Sequence, residues 1–389
     1  MTDRALTVGV VKEAAAGERR VALVPEVVDR VRGLGADVVV EAGAGAAAHF
    51  PDEDYAARDA RVVPGEQVYA DADVVVCVTT PQPDARQRLR DGQVLLGLLG
   101  PLQSPTLAKE WAGAGVTAVS LDLLPRTLSR AQGMDALTSQ ANVAGYKAAV
   151  LAADTYGGYF PMLMTAAGTV KPAQVLVLGA GVAGLQAMAT ARRLGALVTG
   201  YDVRPEAHDQ VTATGARFLE LESVRSAVGE GGYARALTAE ETQAQQAEMA
   251  ERIGRFDVVV TTAQVPGGRP PLLVTGAALD GMRAGSVVVD LAAGPRGGNV
   301  EGVVPDATTT VASGVTVVGA GNLPAQVPQA ASTAYARNVA ALLGLLVRDG
   351  ALTIDLDDEV LGDVVVTHGG EVVNAAVARV VDEVDGDQA

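Results

Sequence analysis

The sequence predicts an α/β fold made of two doubly wound parallel-sheet domains flanking a cleft, and three observations lead there. Short Val-rich runs alternate with helix-like segments along most of the chain, which is the spacing of βα units. At 389 residues the chain exceeds the size at which one core keeps growing, so two domains of ordinary size are expected. Hydrophobic residues reach 49% while aromatics stay at 3% and glycines number 45; the apolar content is therefore Val, Ala and Leu joined by tight turns, which argues against a β sandwich.

Up to about residue 125 the strand-like runs are TVGVV, DVVVEAG, DVVVCVT, QVLLGLLG and VTAVSLDLL, and between them lie the helix-like VPEVVDRVRGLG, DEDYAARDA, DARQRLR and SPTLAKEWAGAG. No glycine-rich phosphate fingerprint occurs in this half. Residues 139–159 read as one long helix that connects the domains or forms the wall between them. A second set starts at Gln174 with QVLVLGAG, VAGLQAMATARRLG, ALVTGYD and ARFLEL, and continues after a polar stretch with FDVVVTTA, TGAALDGMRAG, SVVVDLA and VTVVGAGN. After Gly321 comes the helix-like STAYARNVAALLGLLVRDG; a lone terminal helix more often docks on an existing domain than founds one, so it is expected to return to the first. The expected domains are therefore 1–138 with 325–389, and 139–324.

Acidic residues outnumber basic ones by 46 to 30, a formal charge of −16, which opposes long contacts with nucleic acid or anionic lipid. The single cysteine, Cys77, cannot form an internal disulfide and sits in an apolar run, where it reads as a small buried hydrophobe; a reducing cytosol fits. The N-terminus has too short an apolar run and too many charges for a signal peptide, and the expectation is that the mature chain starts here. The longest uncharged stretches, 172–191 and 307–336, are interrupted by a glycine-rich turn and by Pro324 and Pro328, so no direct membrane span is expected.

Function enters at QVLVLGAGVAGLQAMATARRLG, where Gly179, Gly181 and Gly184 stand in G-x-G-x-x-G order after an apolar strand and at the start of an amphipathic helix. Gly179 permits the tight turn, Gly181 lets backbone approach a pyrophosphate, and Gly184 lets helix and strand pack closely, while the helix N-terminus supplies N–H groups to the phosphates. The next strand ends at Asp202, 18 residues past Gly184 and near the roughly 20-residue offset at which an acid meets the adenosine ribose 2′-OH. Strand, turn, helix and acid together predict a Rossmann-like site. The acid favours NAD(H) over NADP(H), with Arg204 two residues on as the opposing sign. Between Leu221 and Phe256, ESVRSAVGEGGYARALTAEETQAQQAEMAERIGR reads equally as a solvated loop with a surface helix or as a lid whose Tyr233 closes on nucleotide.

Together with PRTLSRAQGMDALTSQANVAGYKA, YDVRPE, GGYARAL, FDVVVTTAQVPG, GSVVVDLAA and GGN, this stretch resembles the NAD(H)-binding component of proton-translocating nicotinamide nucleotide transhydrogenase. The resemblance runs from VGVVKE to about VVTHGGEVV. It implies a soluble homodimer that docks on a membrane-spanning component and meets a component carrying NADP(H); separately, no metal-ligand spacing appears among the residues, so no metal is expected. Hydride then passes directly between the two nicotinamides, coupled to proton movement through the other subunits. The implied location is cytoplasmic and peripheral, on the inner face of the cell membrane. On the loop before the long helix the resemblance assigns the nicotinamide end to Arg126, Gln132 and Asp135, with Thr138 where the family has Ser. The loop is one residue longer between Arg126 and Gln132 than the family pattern, which leaves Arg130 as the alternative arginine. The fingerprint and the resemblance assign further cofactor contacts to Gly179, Ala180, Gly181, Val182 and Gly184, to Asp202, Val203 and Arg204, to Tyr233, and to Thr262, Ala263 and Gln264.

The opening VGVVKE…ERRVALVPE is also similar to alanine dehydrogenase, an amino-acid dehydrogenase whose family uses an Arg, a Lys and a His to hold and protonate substrate. Here Arg19 or Arg20 remains, but Thr79 stands in the Lys position and Gly100 in the His position. His49, His208 and His368 lie outside every motif. A catalytically silent NAD-binding module is the other alternative.

Overall fold

The computed structural model describes residues 5–224, 238–264 and 269–386. The chain divides into two compact units, Met1–Gln140 with Pro324–Ala389, and Ala141–Leu323.

In the first unit β1 (Leu6–Val10), β2 (Ala36–Glu41), β3 (Arg61–Val63), β4 (Val74–Thr79), β5 (Val94–Leu98) and β6 (Thr117–Ser120) form one sheet in the order 3-2-1-4-5-6. Every pairing is parallel. Both faces are covered, so successive residues of a strand serve two cores in turn. Val74, Val76 and Val78 of β4 enter one core, and Val75 and Cys77 enter the other beside Tyr69 and Trp111. Burial on both sides is why these strands are continuous apolar runs without polar alternation. Helix Pro328–Leu346 lays Tyr335, Val339, Leu342, Leu343 and Leu346 into the first of these cores, where Tyr335 Oη donates to Cys77 O at 2.8 Å.

The second unit opens with a small antiparallel hairpin, β7 (Leu163–Thr165) and β8 (Gly168–Val170). Its main sheet contains β9 (Gln174–Leu178), β10 (Leu197–Tyr201), β11 (Arg217–Phe218), β12 (Val258–Thr261), β13 (Val287–Asp290), β14 (Thr308–Thr310) and β15 (Thr316–Gly319), in the order 11-10-9-12-13-15-14. Counted from β9, the parallel strands repeat the order 3-2-1-4-5-6, and β14 adds an antiparallel edge. Val175 and Val177 face one core, while Leu176 and Leu178 face the other. The fold class is thus two doubly wound α/β sheets. In each sheet the chain leaves in opposite directions after the central pair, β1 with β4 and β9 with β12, and such switch points are where open α/β sheets take ligands.

Three local features differ from the sequence expectation. The long helix runs Ala136–Thr155, starting earlier than expected because Asp135 caps it and stopping before the Gly157–Gly158 pair. The hairpin β7–β8 and the edge strand β14 give no signal in the sequence, being three-residue strands without a Val-rich run.

Candidate functional site

At the end of β9 the chain turns through Gly179, Ala180 and Gly181 into helix Val182–Arg193. Gly179 has φ +102°, and a Cβ there would meet Thr262 Oγ1 at 2.6 Å. A Cβ on Gly184 would collide with the carbonyl oxygen of Gly179. At Gly181, by contrast, an added Cβ would have nothing within 4 Å. Two glycines are therefore dictated by the fold, and the third leaves backbone open to an incoming group. Gly181 is also the helix N-cap and offers no capping side chain, so N–H groups of the first turn lack that internal acceptor. A pyrophosphate fits a turn of this kind: negative charge, close backbone approach and free donors coincide.

The neighbouring strand ends fix this turn. Asp202, at the end of β10, accepts from Ala180 N at 2.7 Å and pairs with Arg204; Val203 between them is half-buried. Across the switch point, Thr262 Oγ1 donates to Gly179 O at 3.2 Å. Ala263 is held by both backbone atoms, its N donating to Asn299 Oδ1 at 3.0 Å and its O accepting from Asn299 Nδ2 at 2.9 Å. Gln264 is exposed, and its amide donates to Leu291 O at 3.4 Å. Asn299 itself is fully buried and is oriented by Asp290, whose carboxylate accepts from Asn299 N at 2.8 Å, Val300 N at 3.1 Å, Ala292 N at 2.9 Å and Thr261 Oγ1 at 2.8 Å. Burial pushes the Asp290 carboxyl above its ordinary range despite these donors. Sequence reasoning does not reach Asn299 or Asp290 as site residues, although the runs GGN and GSVVVDLAA contain them. Tyr201, the residue before Asp202, accepts from Gln245 Nε2 at 2.6 Å, and burial pushes its phenol up to about 12. Tyr233 and the glycines before it lie outside the described residues.

In the first unit, the loop ahead of the long helix gathers Arg126, Asp135 and Thr138. Arg126 Nε donates to Asp135 Oδ2 at 3.0 Å and its Nη2 to Thr138 Oγ1 at 2.8 Å. Asp135 Oδ1 accepts from Thr138 N at 2.8 Å, and Oδ2 accepts from Thr138 Oγ1 at 2.6 Å. Arg130 turns elsewhere and pairs with Asp358, whose carboxyl it holds below the usual range. Gln132 is exposed on the same loop, which Asn338 of helix Pro328–Leu346 steadies by donating to Gly133 O at 2.9 Å. The loop thus presents an amide, a guanidinium, a carboxylate and a hydroxyl, a set that can hold a carboxamide.

The positions that would matter for an amino-acid substrate are differently engaged. Arg20 is buried, with Nε and Nη2 on Glu18 at 2.8 and 2.6 Å and Nη1 on Gln140 Oε1 at 2.8 Å; Arg19 is exposed. Thr79 Oγ1 donates to Glu13 Oε2 at 2.6 Å, and Val78 N donates to Glu13 Oε1 at 2.6 Å. Glu13 therefore lies across the switch point of β1 and β4, and burial raises its pKa. Gly100 N donates to Asp122 Oδ2 at 2.9 Å. Among the described residues no group of His, Cys, Asp or Glu is placed to hold a metal ion, and no helix is long and apolar enough to cross a membrane.

Comparison with known proteins matches the family model Alanine dehydrogenase/PNT, N-terminal domain, to residues 9–144 and Alanine dehydrogenase/PNT, C-terminal domain, to residues 148–375. The NAD(P) transhydrogenase subunit alpha of Cereibacter sphaeroides is 41% identical over 372 residues, which is 94% of this chain and 71% of that protein. The NAD(P) transhydrogenase subunit alpha of Haemophilus influenzae is 37% identical over 377 residues, 96% of this chain and 73% of that one. A crystal structure of transhydrogenase from Sinorhizobium meliloti superposes with a TM-score of 0.85 at 43% identity, covering 94% of this chain and 100% of that chain.

Proposed function

This chain belongs to the alanine dehydrogenase/PNT family, and from that premise we propose that it is the NAD(H)-binding component of a proton-translocating transhydrogenase, holding one nicotinamide for hydride exchange with NADP(H) on a partner subunit. One contrast carries the reading. A dinucleotide turn with all three glycines and its acid is joined to a chain that has Thr79 and Gly100 where an amino-acid dehydrogenase needs a Lys and a His. Relatives named transhydrogenase subunit alpha, matched along almost all of this chain, support it.

Bound NAD(H) would supply the hydride chemistry. Gly181 and the first turn of the following helix would take the pyrophosphate, Asp202 the adenosine ribose, and the Thr262–Gln264 segment would line the crevice. Arg126, Gln132, Asp135 and Thr138 would fix the carboxamide end, with Arg126 rather than Arg130 favoured because Arg130 is committed to Asp358. Hydride transfer between pyridine rings needs no proton donor or nucleophile on the protein. Positioning to about 3–3.5 Å in a dry site is the whole demand, which Arg126 and Asp135, held to each other and to Thr138, would serve together with the Gln132 amide on the same loop.

The proton path then belongs to membrane-spanning partners, and the chain acts as a peripheral, cytoplasmic-face subunit; its charge of −16 disfavours unaided adhesion to anionic lipid, so specific protein contacts recruit it. We assign self-association as a homodimer to the hairpin β7–β8. The stretch from Tyr156 to Val170 carries no charged residue in this strongly acidic chain. It leaves Tyr159, Met162, Met164 and Val170 exposed.

Mixing the protein with an NADP(H)-binding, membrane-spanning partner and following reduction of an acetylpyridine analogue of NAD by NADPH tests the function. Transfer is expected. Ordinary turnover of pyruvate, ammonium and NADH by the chain alone would overturn the reading, since loss of an acid/base group costs roughly two to four orders of magnitude. Nucleotide binding with no transfer would leave a silent module.

A further inference from the structure

Asp202 and Arg204 form a tighter unit than a ribose-binding acid requires. Asp202 Oδ1 accepts from Arg204 N at 2.9 Å and Nε at 3.0 Å. Oδ2 accepts from Ala180 N at 2.7 Å and Arg204 Nη2 at 3.1 Å. A carboxylate offers about four lone-pair sites, so this one is saturated. Arg204 Nη2 also reaches Ala180 O at 3.3 Å, which closes a ring of acid, guanidinium and glycine-rich turn. The acid side chain is 10% exposed and the arginine 30%, so the ring stands at the edge of the crevice, with its cation the more accessible member.

We propose that Arg204 is a 2′-phosphate-binding cation kept out of use by Asp202, and that this pair, rather than the acid alone, sets the choice of NAD(H) over NADP(H) at the turn. The inference rests on reading the turn as a dinucleotide seat. A guanidinium is the side chain best matched to phosphate, through parallel N–H donors and permanent charge. Here it lies against the very carboxylate that a ribose 2′-substituent would approach. While Asp202 holds it, its charge is neutralised and its Nε and Nη2 donors are spent on the carboxylate and on Ala180 O. A ribose diol can replace Arg204 donors on the carboxylate; a phosphate meets repulsion and finds no free cation. Removing the carboxylate therefore acts twice in one direction, lifting repulsion and releasing the guanidinium.

The test is fluorescence titration with NADH and NADPH, and competition by adenosine 2′,5′-bisphosphate against AMP to isolate the adenosine end. Each variant's thermal melt serves as the folding control. Asp202→Ala should bind NADPH roughly tenfold or more tightly than the unmodified chain and NADH roughly tenfold more weakly. Asp202→Asn, which keeps an oxygen for Ala180 N but loses the charge, should fall between. Adding Arg204→Ala to Asp202→Ala should abolish the gain for NADPH and for the bisphosphate. A variant set that folds but shows no NADPH gain, or a gain that survives loss of Arg204, overturns the proposal. Gly181→Val separates this from failure of the seat: if NADH binding by the unmodified chain is absent or insensitive to that change, the dinucleotide reading itself is wrong.

Discussion

Asp135, which the proposed function offers to a ligand, is also occupied with its own backbone. Its carboxylate caps the helix Ala136–Thr155 through Thr138 N and also holds Arg126, so a loss of function on mutation would not by itself reveal a contact. Asparagine caps nearly as well as aspartate and alanine does not. Asp135→Ala should lower stability by roughly 0.5–2 kcal/mol, read as a drop in melting temperature, and weaken NADH binding. Asp135→Asn should melt like the parent and bind NADH clearly more weakly; an Asn variant with parental affinity would reduce Asp135 to a cap. At this scale the glycine turn was legible because strand, turn, helix and acid lie within one short span of sequence. The two arginines were not separable, since Arg126 finds its partners within 12 residues whereas Arg130 finds Asp358 228 residues away. Asn299 gives no local signal for the same reason: its contacts with Ala263 and Pro271 exist only once β12 and β13 lie side by side.

Among the elements, the long Val-rich strands could be read directly because burial on both faces leaves a continuous apolar signature. The hairpin β7–β8 has no such signature. It is a two-stranded sheet whose second strand is exposed at every residue, and an isolated hairpin is marginal in water. Covering it with the same hairpin of a second chain relieves both its bare edge and its exposed Met and Val side chains, and only a charge-free patch lets two acidic copies meet without repulsion. Met164, 72% exposed, can be changed without disturbing the interior. Met164→Asp should convert a dimer to single chains in sedimentation velocity while leaving the monomer's far-ultraviolet circular dichroism intact. A dimer that persists unchanged would place the interface elsewhere. The antiparallel β14 was likewise invisible, because TTT at a sheet edge gives no periodicity to read.

For the molecule as a whole, the excess of negative charge and the buried carboxyls act together. Glu13 and Asp290 are raised by burial above their ordinary values of 4.5 and 3.8. As pH climbs past those values the unfolded chain releases these protons first, so folding is penalised with rising pH. Asp358 has the opposite sign: held below 3.8 by Arg130, it contributes stability above that pH and loses it as the pH falls through its folded value. Self-repulsion at a charge of −16 adds to the cost at alkaline pH. The melting temperature should fall as pH rises above 4.5, where Glu13 of the unfolded chain ionises first, and should also decline below 3.8 as Asp358 takes up its proton. Glu13→Gln should flatten the fall above 4.5, and a profile that climbs steadily towards alkali would contradict the assignment.

Both sheets follow one plan, yet they do not offer equal hospitality. After β9 the backbone withdraws at Gly181 and leaves a berth for a guest. After β1 the chain bends Glu13 back onto Val78 and Thr79, where it sits as a captive anion stoppering the corresponding mouth. A duplicated scaffold thereby carries its glycine-rich turn in the second sheet alone, and on the proposed function the second dinucleotide would arrive aboard another polypeptide.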